Sequence, residues 1–405
     1  MTWNNSSEIN FIRQDELESH LLNLPANHPG LDGGVGLDPI LTLRFVTEGL
    51  VNSVVSTFGL VGNVSAIVIL ATQKLDLHSF LRHILIALAV FDIIFLVTTF
   101  FLYSLPLFSS GYHDHFYQIL APKLLIPLSQ IALTGSVYSI ITITIERYLA
   151  TCRAHLKTTS PPRTSVIAIV AIVTFACIYN APRFLEYATQ LQSVKYQDYY
   201  LGPSGRPVPL GKAYSKLEHR LEATEFRTSS CYILLYLLFG NGLFMTFGPI
   251  AVLAVLNWNI HKAIRLKEQR KALLMTSNAF PQAGHPLLNP ARSFPGATTT
   301  STTSPFSPEA SDEKDLTITK ILFGIVAVFV ICHIFKMILV TLEVIFNLFF
   351  GTNLPASMGI EILMTFNHMA LVFNSSINVF IYIHKDKHFR NAAKAFCQLP
   401  NSIIV

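Results

Sequence analysis

The sequence predicts an all-α membrane protein: a bundle of seven transmembrane helices followed by a short amphipathic helix. Three observations lead there. Of 405 residues, 51% are hydrophobic and only 13% charged, and the mean hydropathy is +0.47, too apolar for an ordinary soluble chain. Seven stretches reach the roughly 20 mostly apolar residues that a spanning helix needs. Lysine and arginine gather in alternate linkers, as a multi-pass topology requires.

Residues 1–45 read as a flexible extracellular tail, polar and broken by Pro25, Pro29 and Gly33-Gly34-Val35-Gly36. Residues 1–10 lack a positively charged flank and an apolar core, so no cleavable leader is expected and the first helix serves as signal anchor. Asn4-Asn5-Ser6 and Asn5-Ser6-Ser7 make Asn4 and Asn5 glycosylation acceptors. The bundle is assigned to 46–384, with spans at 47–72, 81–105, 118–151, 164–184, 231–258, 317–349 and 358–383. Within it, 187–230 forms a long extracellular loop whose alternating polar and apolar residues predict a short hairpin. The segment 272–314 reads as a disordered cytoplasmic loop, rich in Ser, Thr, Pro and Ala. Its hydroxyls are either phosphorylation sites or part of a passive linker. In 385–405, Lys385, Lys387, Arg390 and Lys394 face Phe389, Ala393 and Phe396, an amphipathic helix on the bilayer surface with Cys397 set for palmitoylation.

Orientation follows from charge. The linkers after the first, third and fifth spans, and the tail, carry residues such as Lys74, Arg153, Lys157, Arg265 and Lys385; the linker after the sixth has no Lys or Arg. The N-terminus is therefore expected outside a plasma membrane. The net charge of +5 reflects a cytoplasmic membrane face and gives no sign of nucleic-acid binding. Five cysteines make no framework: Cys152, Cys177, Cys332 and Cys397 fall in the core or inner half, leaving Cys231 alone near the outside.

Polar residues inside apolar helices carry the chemistry. Asp92 lies mid-helix in Leu88-Ala89-Val90-Phe91-Asp92-Ile93-Ile94, where a carboxylate must be protonated, solvated or paired. Asn63, Ser136, Asn374 and Asn378 can meet it from other helices, the last two on one face by their spacing of four. Such a cluster is either a small-cation site, sodium being the candidate, or a hydrogen-bonded packing cluster. Glu146-Arg147-Tyr148 closes the third apolar span, with Arg153 and Lys157 just beyond. It reads as the cytoplasmic end of a signalling helix, against the alternative that Arg147 is a snorkelling anchor.

Across most of 47–396, Gly62-Asn63-Val64, Leu88-Ala89 with Asp92, Glu146-Arg147-Tyr148, Pro249, Phe329 with Cys332, and Asn378-Val379-Phe380-Ile381-Tyr382 resemble, in order, rhodopsin-like (class A) G-protein-coupled receptors. Tyr179-Asn180-Ala181-Pro182-Arg183-Phe184-Leu185-Glu186, Asn374-Ser375-Ser376-Ile377-Asn378 and Cys332-His333 are similar to invertebrate FMRFamide and myosuppressin receptors. The resemblance implies a peptide-activated receptor that signals through a heterotrimeric G protein, with arrestin and receptor kinases as further partners. It implies a switch at Glu146, Arg147 and Tyr148, with Asn378 and Tyr382 stabilising the open state; Asp315 is either placed to reach Arg147 or part of a solvated face with Glu313 and Lys314. Val137, Pro249 and Phe329 would transmit pocket changes, although core packing is their default role. The chain departs from the pattern at Val379, where proline is usual. Phe335 stands where the sixth helix has a kinking proline, and His333 replaces the usual tryptophan. The third helix has Pro122 near the place of the family's outer cysteine, so the family disulfide to Cys231 is not expected.

The third span has no acid between Pro122 and Glu146, and the seventh no lysine between Met358 and Ile383. By the resemblance, these absences argue against amine and retinal ligands. Peptide-binding candidates are Tyr103, Gln130, Arg183, Glu186, His333, Lys336, Glu343, Glu361, Asn367 and His368. For a ligand ending in Arg-Phe-amide, Glu343 and Glu361 are the expected guanidinium partners, with Glu186 next. Lys336 either bridges to Glu343 or Glu361 or accepts an acidic ligand group, and His333 is either a satisfied core histidine or a toggle. No cofactor beyond sodium is expected. Competing classes are a receptor-like chain with altered or absent signalling and a cation-coupled transporter, which lacks support for want of internal repeats. A membrane hydrolase has none either, because no histidines show metal-ligand spacing.

Overall fold

The computed structural model describes residues 39–72, 78–152, 163–201, 207–278, 308–350, 358–385 and 390–391. Among them, six helices are long and apolar enough to cross a membrane. They are α1 (Thr42–Thr72), α2 (Ser79–Phe108), α3 (Gln118–Cys152), α4 (Arg163–Leu185), α5 (Ser230–Arg270) and the Phe323–Phe346 part of α6. The whole of α6 runs Pro308–Phe350. The seventh expected span is a helix too, α7 (Met358–Lys385). Its Glu361, Asn367, His368, Asn374 and Asn378 make it less apolar than the other six.

α3 is the axis of the bundle, packed against α2, α4 and α5, while α7 closes the ring against α6, α1 and α2. The core follows from one buried stripe per helix, with Leu88 and Phe95 of α2, Leu133, Val137 and Ile140 of α3, Met245 of α5, Phe329 of α6 and Val372 of α7 in one cluster. The opposite stripes are apolar and exposed, including Phe58, Ile167, Ile178, Leu243 and Trp258, as lipid-facing surfaces are. Two glycines set the closest approaches. A Cβ on Gly135 would stand 2.3 Å from the Phe91 ring, and one on Gly59 would stand 2.3 Å from Ser376 Oγ. Small residues at helix crossings allow this in membranes.

Proline shapes α5 and its absence shapes α6. Ile233–Phe247 is wound as a π-helix, and the Gly248 N–H donates to the Leu243 carbonyl five residues back. Pro249 follows at once; it has no N–H to give and its ring crowds the preceding turn. α6, with Phe335 in place of proline, is a continuous α-helix of 43 residues.

The all-α expectation needs one correction. Between α4 and α5 stands an antiparallel hairpin, β1 (Tyr187–Leu201) and β2 (Pro207–Ala223), far longer than the short one expected. Its register runs from Tyr187 opposite Ala223 to Leu201 opposite Pro207, with an irregularity between Tyr196 and Asp198. Both strands are edges, so Pro207 and Pro209 cost no interior ladder bond. The hairpin is tied down where it leaves the bundle: Thr189 Oγ1 donates to the Gln118 carbonyl, and Thr224 Oγ1 donates to the Leu185 carbonyl at 2.6 Å. α5 continues helically to Asn278 and α6 begins at Pro308, so helix intrudes on both edges of the loop assigned to 272–314.

Candidate functional site

At the hairpin end of the bundle, Arg183 is the centre of a cluster. A 3-10 turn, Ala181–Leu185, ends α4 and turns the guanidinium toward α5. Its Nη1 donates to Glu186 Oε1 at 2.7 Å, and the same oxygen accepts the Tyr232 hydroxyl at 2.5 Å. The guanidinium lies over the Tyr236 ring, 5.1 Å from its centroid, a cation–π contact in a desolvated place. Tyr179 donates to Asn241 Oδ1 at 3.0 Å, and Tyr236 donates to the Tyr179 carbonyl at 2.9 Å. The sequence pointed to Arg183 and Glu186. It left out Tyr232, Tyr236 and Asn241, which α5 supplies across a long separation.

A second cluster joins α1, α2 and α7. Glu48 is buried and accepts from Arg44 Nε at 3.2 Å while pairing with His368 Nδ1 at 2.7 Å. His368 in turn stacks on Tyr103 with centroids 4.0 Å apart. The sequence reading brought out Tyr103 and His368 but passed over Glu48. An acid inside an apolar helix is itself the signal for it.

Lys336 corrects an expectation. Its ammonium nitrogen is buried and has no hydrogen-bond partner among the described residues, so the bridge to Glu343 or Glu361 does not form. Glu343 lies two turns further along α6, about 10 Å away in rise, and Arg227 Nη2 holds it instead at 2.5 Å. Burial works to strip the Arg227 proton, but the Glu343 carboxylate outweighs it and holds that guanidinium above its usual range. Glu361 and Gln130 are half-buried. Among the described residues, the Asn367 side-chain oxygen and both His333 ring nitrogens are buried without hydrogen-bond partners, and His333 packs on Phe329 at 4.1 Å between centroids.

Midway down the bundle, Asp92 is fully buried. Its Oδ1 accepts from Ser136 Oγ at 2.8 Å, and its Oδ2 accepts from Asn378 Nδ2 at 2.7 Å. These two members of the predicted set reach the carboxylate. Asn63 does not: its amide donates to the Gly59 carbonyl at 2.9 Å and to the Ser375 carbonyl at 3.0 Å, stapling α1 to α7. Among the described residues Asn374 Oδ1 is buried without a hydrogen-bond partner, while the buried Ser375 side chain is a further hydrogen-bonding neighbour of Asp92. A buried carboxylate with neutral side-chain oxygens from Ser136 and Ser375 beside it suits a hard cation held by oxygen. Among the described residues no group of three or more His, Cys, Asp or Glu could hold a metal ion.

At the far end of α3, Arg147 grips its neighbour through two bonds, Nε to Glu146 Oε2 at 2.6 Å and Nη2 to Glu146 Oε1 at 3.0 Å. Arg147 is buried, and Tyr148 beside it is half-buried. Val137, Phe329 and Pro249 are all buried, the first two in the main core cluster. Asp315 and Tyr382 lie on α6 and α7, and their side chains fall outside the described residues, as do Asn4, Asn5 and Cys397. Cys152, Cys177, Cys231 and Cys332 are free thiols.

Comparison with known proteins agrees with this architecture. The family model described as 7 transmembrane receptor (rhodopsin family) matches residues 62–382. An FMRFamide receptor of Drosophila melanogaster is 26% identical over 242 residues, 58% of this chain and 40% of the relative. An FMRFamide peptide receptor of Caenorhabditis elegans is 30% identical over 138 residues, 33% of this chain and 32% of the relative. The match thus spans well under half the length of each relative. Axial α3, the buried Asp92 seam and a family match over most of the sequence converge: the chain belongs to the rhodopsin family of seven-transmembrane receptors.

Proposed function

We propose that this chain is a plasma-membrane receptor for a short amidated peptide of the FMRFamide kind, and that it passes binding on to a heterotrimeric G protein. The hairpin end faces outside with the N-terminus, α7 crosses the bilayer, and residues 385–405 lie along the inner surface as an amphipathic helix anchored at Cys397. Arrestin and receptor kinases would act on the inner loop and tail. The likeness to two FMRFamide receptors supports the ligand class. The observation that carries the reading is the buried seam at Asp92, which links α2, α3 and α7 between the outer polar clusters and Arg147.

Two packings of one bundle differ in free energy by a few kcal/mol, and a ligand shifts them only by differential affinity. In the resting packing Arg147 is held by Glu146, and Asp315 would be its second partner; a small cation held by Asp92, Asn374 and Ser375 would favour that state. Peptide docking pulls α6 away, frees Arg147 for the partner and lets Tyr382 turn in beside Asn378. Phe329, Val137 and Pro249 form the layer that conveys the shift. Of the outer carboxylates, Glu343 and Glu186 are hydrogen-bonded to arginines, whereas Glu361 has Arg44 only as an electrostatic neighbour and is the preferred partner for a ligand guanidinium.

Cells expressing the full chain, given a panel of amidated peptides with calcium and cAMP readouts, test the proposal. Peptides ending in Arg-Phe-amide should signal, and their free-acid forms should be far weaker. Surface-expressed receptor that binds such peptides yet stays silent would favour the second reading, a receptor-like chain without coupling, which Val379, Phe335 and His333 motivate.

A further inference from the structure

We infer that Lys336, with Arg183 beside it, forms a subsite for an anionic group of the ligand: a carboxylate carried by the peptide itself. This rests on the peptide-receptor reading above and specifies it. Phe329, His333 and Lys336 follow one another at spacings of four and three, so they share the face of α6 turned into the bundle. Phe329 and His333 are fully buried, and the Lys336 ammonium at the top of that stripe is buried too, with no acceptor among the described residues. An ammonium carries three donors and no acceptor, and a buried cation without a counter-charge is strongly disfavoured.

The surroundings make the imbalance worse. Arg183 acts on Lys336 electrostatically, and its charge has the same sign. The carboxylates that might answer are engaged elsewhere. Glu186 holds Arg183 and the Tyr232 hydroxyl through one oxygen, and Glu343 holds Arg227. When Lys336 is protonated, Arg183, Glu186 and Lys336 together carry one positive charge in excess. Arg183 Nε and both His333 nitrogens add buried groups without partners. A carboxylate brings two oxygens with about four acceptor sites, which matches that demand in charge and in donors. A ligand guanidinium would be repelled here and drawn instead toward Glu361 on α7. The positive charge between α4 and α6 therefore selects a peptide that carries a carboxylate in addition to its guanidinium.

The test uses the full-length receptor in transfected cells and paired peptides that end in Arg-Phe-amide. The members of each pair differ at one residue, Asp in one and Asn in the other, with that residue walked along the chain. At one position the wild type should prefer the Asp peptide by about tenfold in potency, the size expected for one charge-assisted bond. In Lys336→Gln the preference should vanish through loss of Asp-peptide potency alone. Equal losses for both peptides, or no Asp preference at any position, overturn the subsite and leave the receptor reading intact. If no amidated peptide acts at all, that reading fails separately, and the subsite is judged on purified full-length protein in detergent. There Lys336→Gln should melt higher than wild type, because it removes an unanswered charge, while Lys336→Arg should not. An unchanged or lower midpoint for Lys336→Gln means that Lys336 carries no unanswered charge, being either paired or neutral, which overturns the inference.

Discussion

At the hairpin end, acids meet bases: Glu186 with Arg183, Glu48 with Arg44 and His368, Glu343 with Arg227. Midway down, among the described residues, Asp92 meets neutral groups: Ser136, Asn378 and Ser375. The contrast separates two jobs. Breaking a buried ion pair such as Arg183–Glu186 by removing one partner costs about 3–5 kcal/mol, so that pair holds its elements in place. A hydrogen bond from a neutral donor to a carboxylate is worth about 1.5–3 kcal/mol net, less than a broken buried ion pair costs, so a seam of such bonds can exchange partners within the free energy a ligand supplies. Recognition belongs at the charged end and rearrangement in the seam.

The strongest way to break this contrast is Arg147→Ala, which removes the inner element on which the seam acts. Nucleotide exchange on the G protein should fall to background with surface expression near normal; retained exchange would strip Arg147 of its switch role. Next comes Glu186→Gln, which leaves Arg183 buried without its counter-charge and should cost about 3–5 kcal/mol. Thermal unfolding measures it, and Arg183→Met in the same chain should recover most of the loss. Asp92→Leu orphans both Ser136 and Asn378 and should cost about 1–3 kcal/mol for each. Asp92→Asn sharpens the point: any sodium dependence of agonist affinity should disappear with the charge, and its survival would refute the cation site. The smallest effect is Arg227→Ala. That pair is partly exposed, with side-chain accessibilities of 16% and 26%, so its stability change should stay within about 1 kcal/mol. It frees Glu343, and an Arg-bearing peptide should gain affinity a few-fold by competition binding.

Much of this was legible in the residues. Helix positions follow from hydropathy, and each expected span overlaps a helix because lipid demands continuous apolar runs. Asp92 with Ser136 and Asn378, and Glu146 with Arg147, were readable for a related reason: polar groups in apolar helices have few places to go. The misses share a different cause. Lys336 and Glu343 look like partners by charge, but their separation along α6 and the approach of Arg227 from beyond the hairpin decide otherwise. Asn63 resembles a ligand of the Asp92 site until the carbonyls of Gly59 and Ser375 are seen to capture its amide. The tyrosines around Arg183 come from α5, and no local pattern announces a contact of that range. The hairpin was underestimated because alternation marks a strand without fixing its length.

The most direct test of the seam as the moving part is a distance measurement. Spin labels on Ala150 of α3 and Thr317 of α6, with the native accessible cysteines replaced, report the spacing at the Arg147 end. Addition of a peptide ending in Arg-Phe-amide should lengthen that distance in the wild type and leave it unchanged in Asp92→Leu. A distance that stays fixed in the wild type, in a sample where peptide binding is measured directly, would contradict the account.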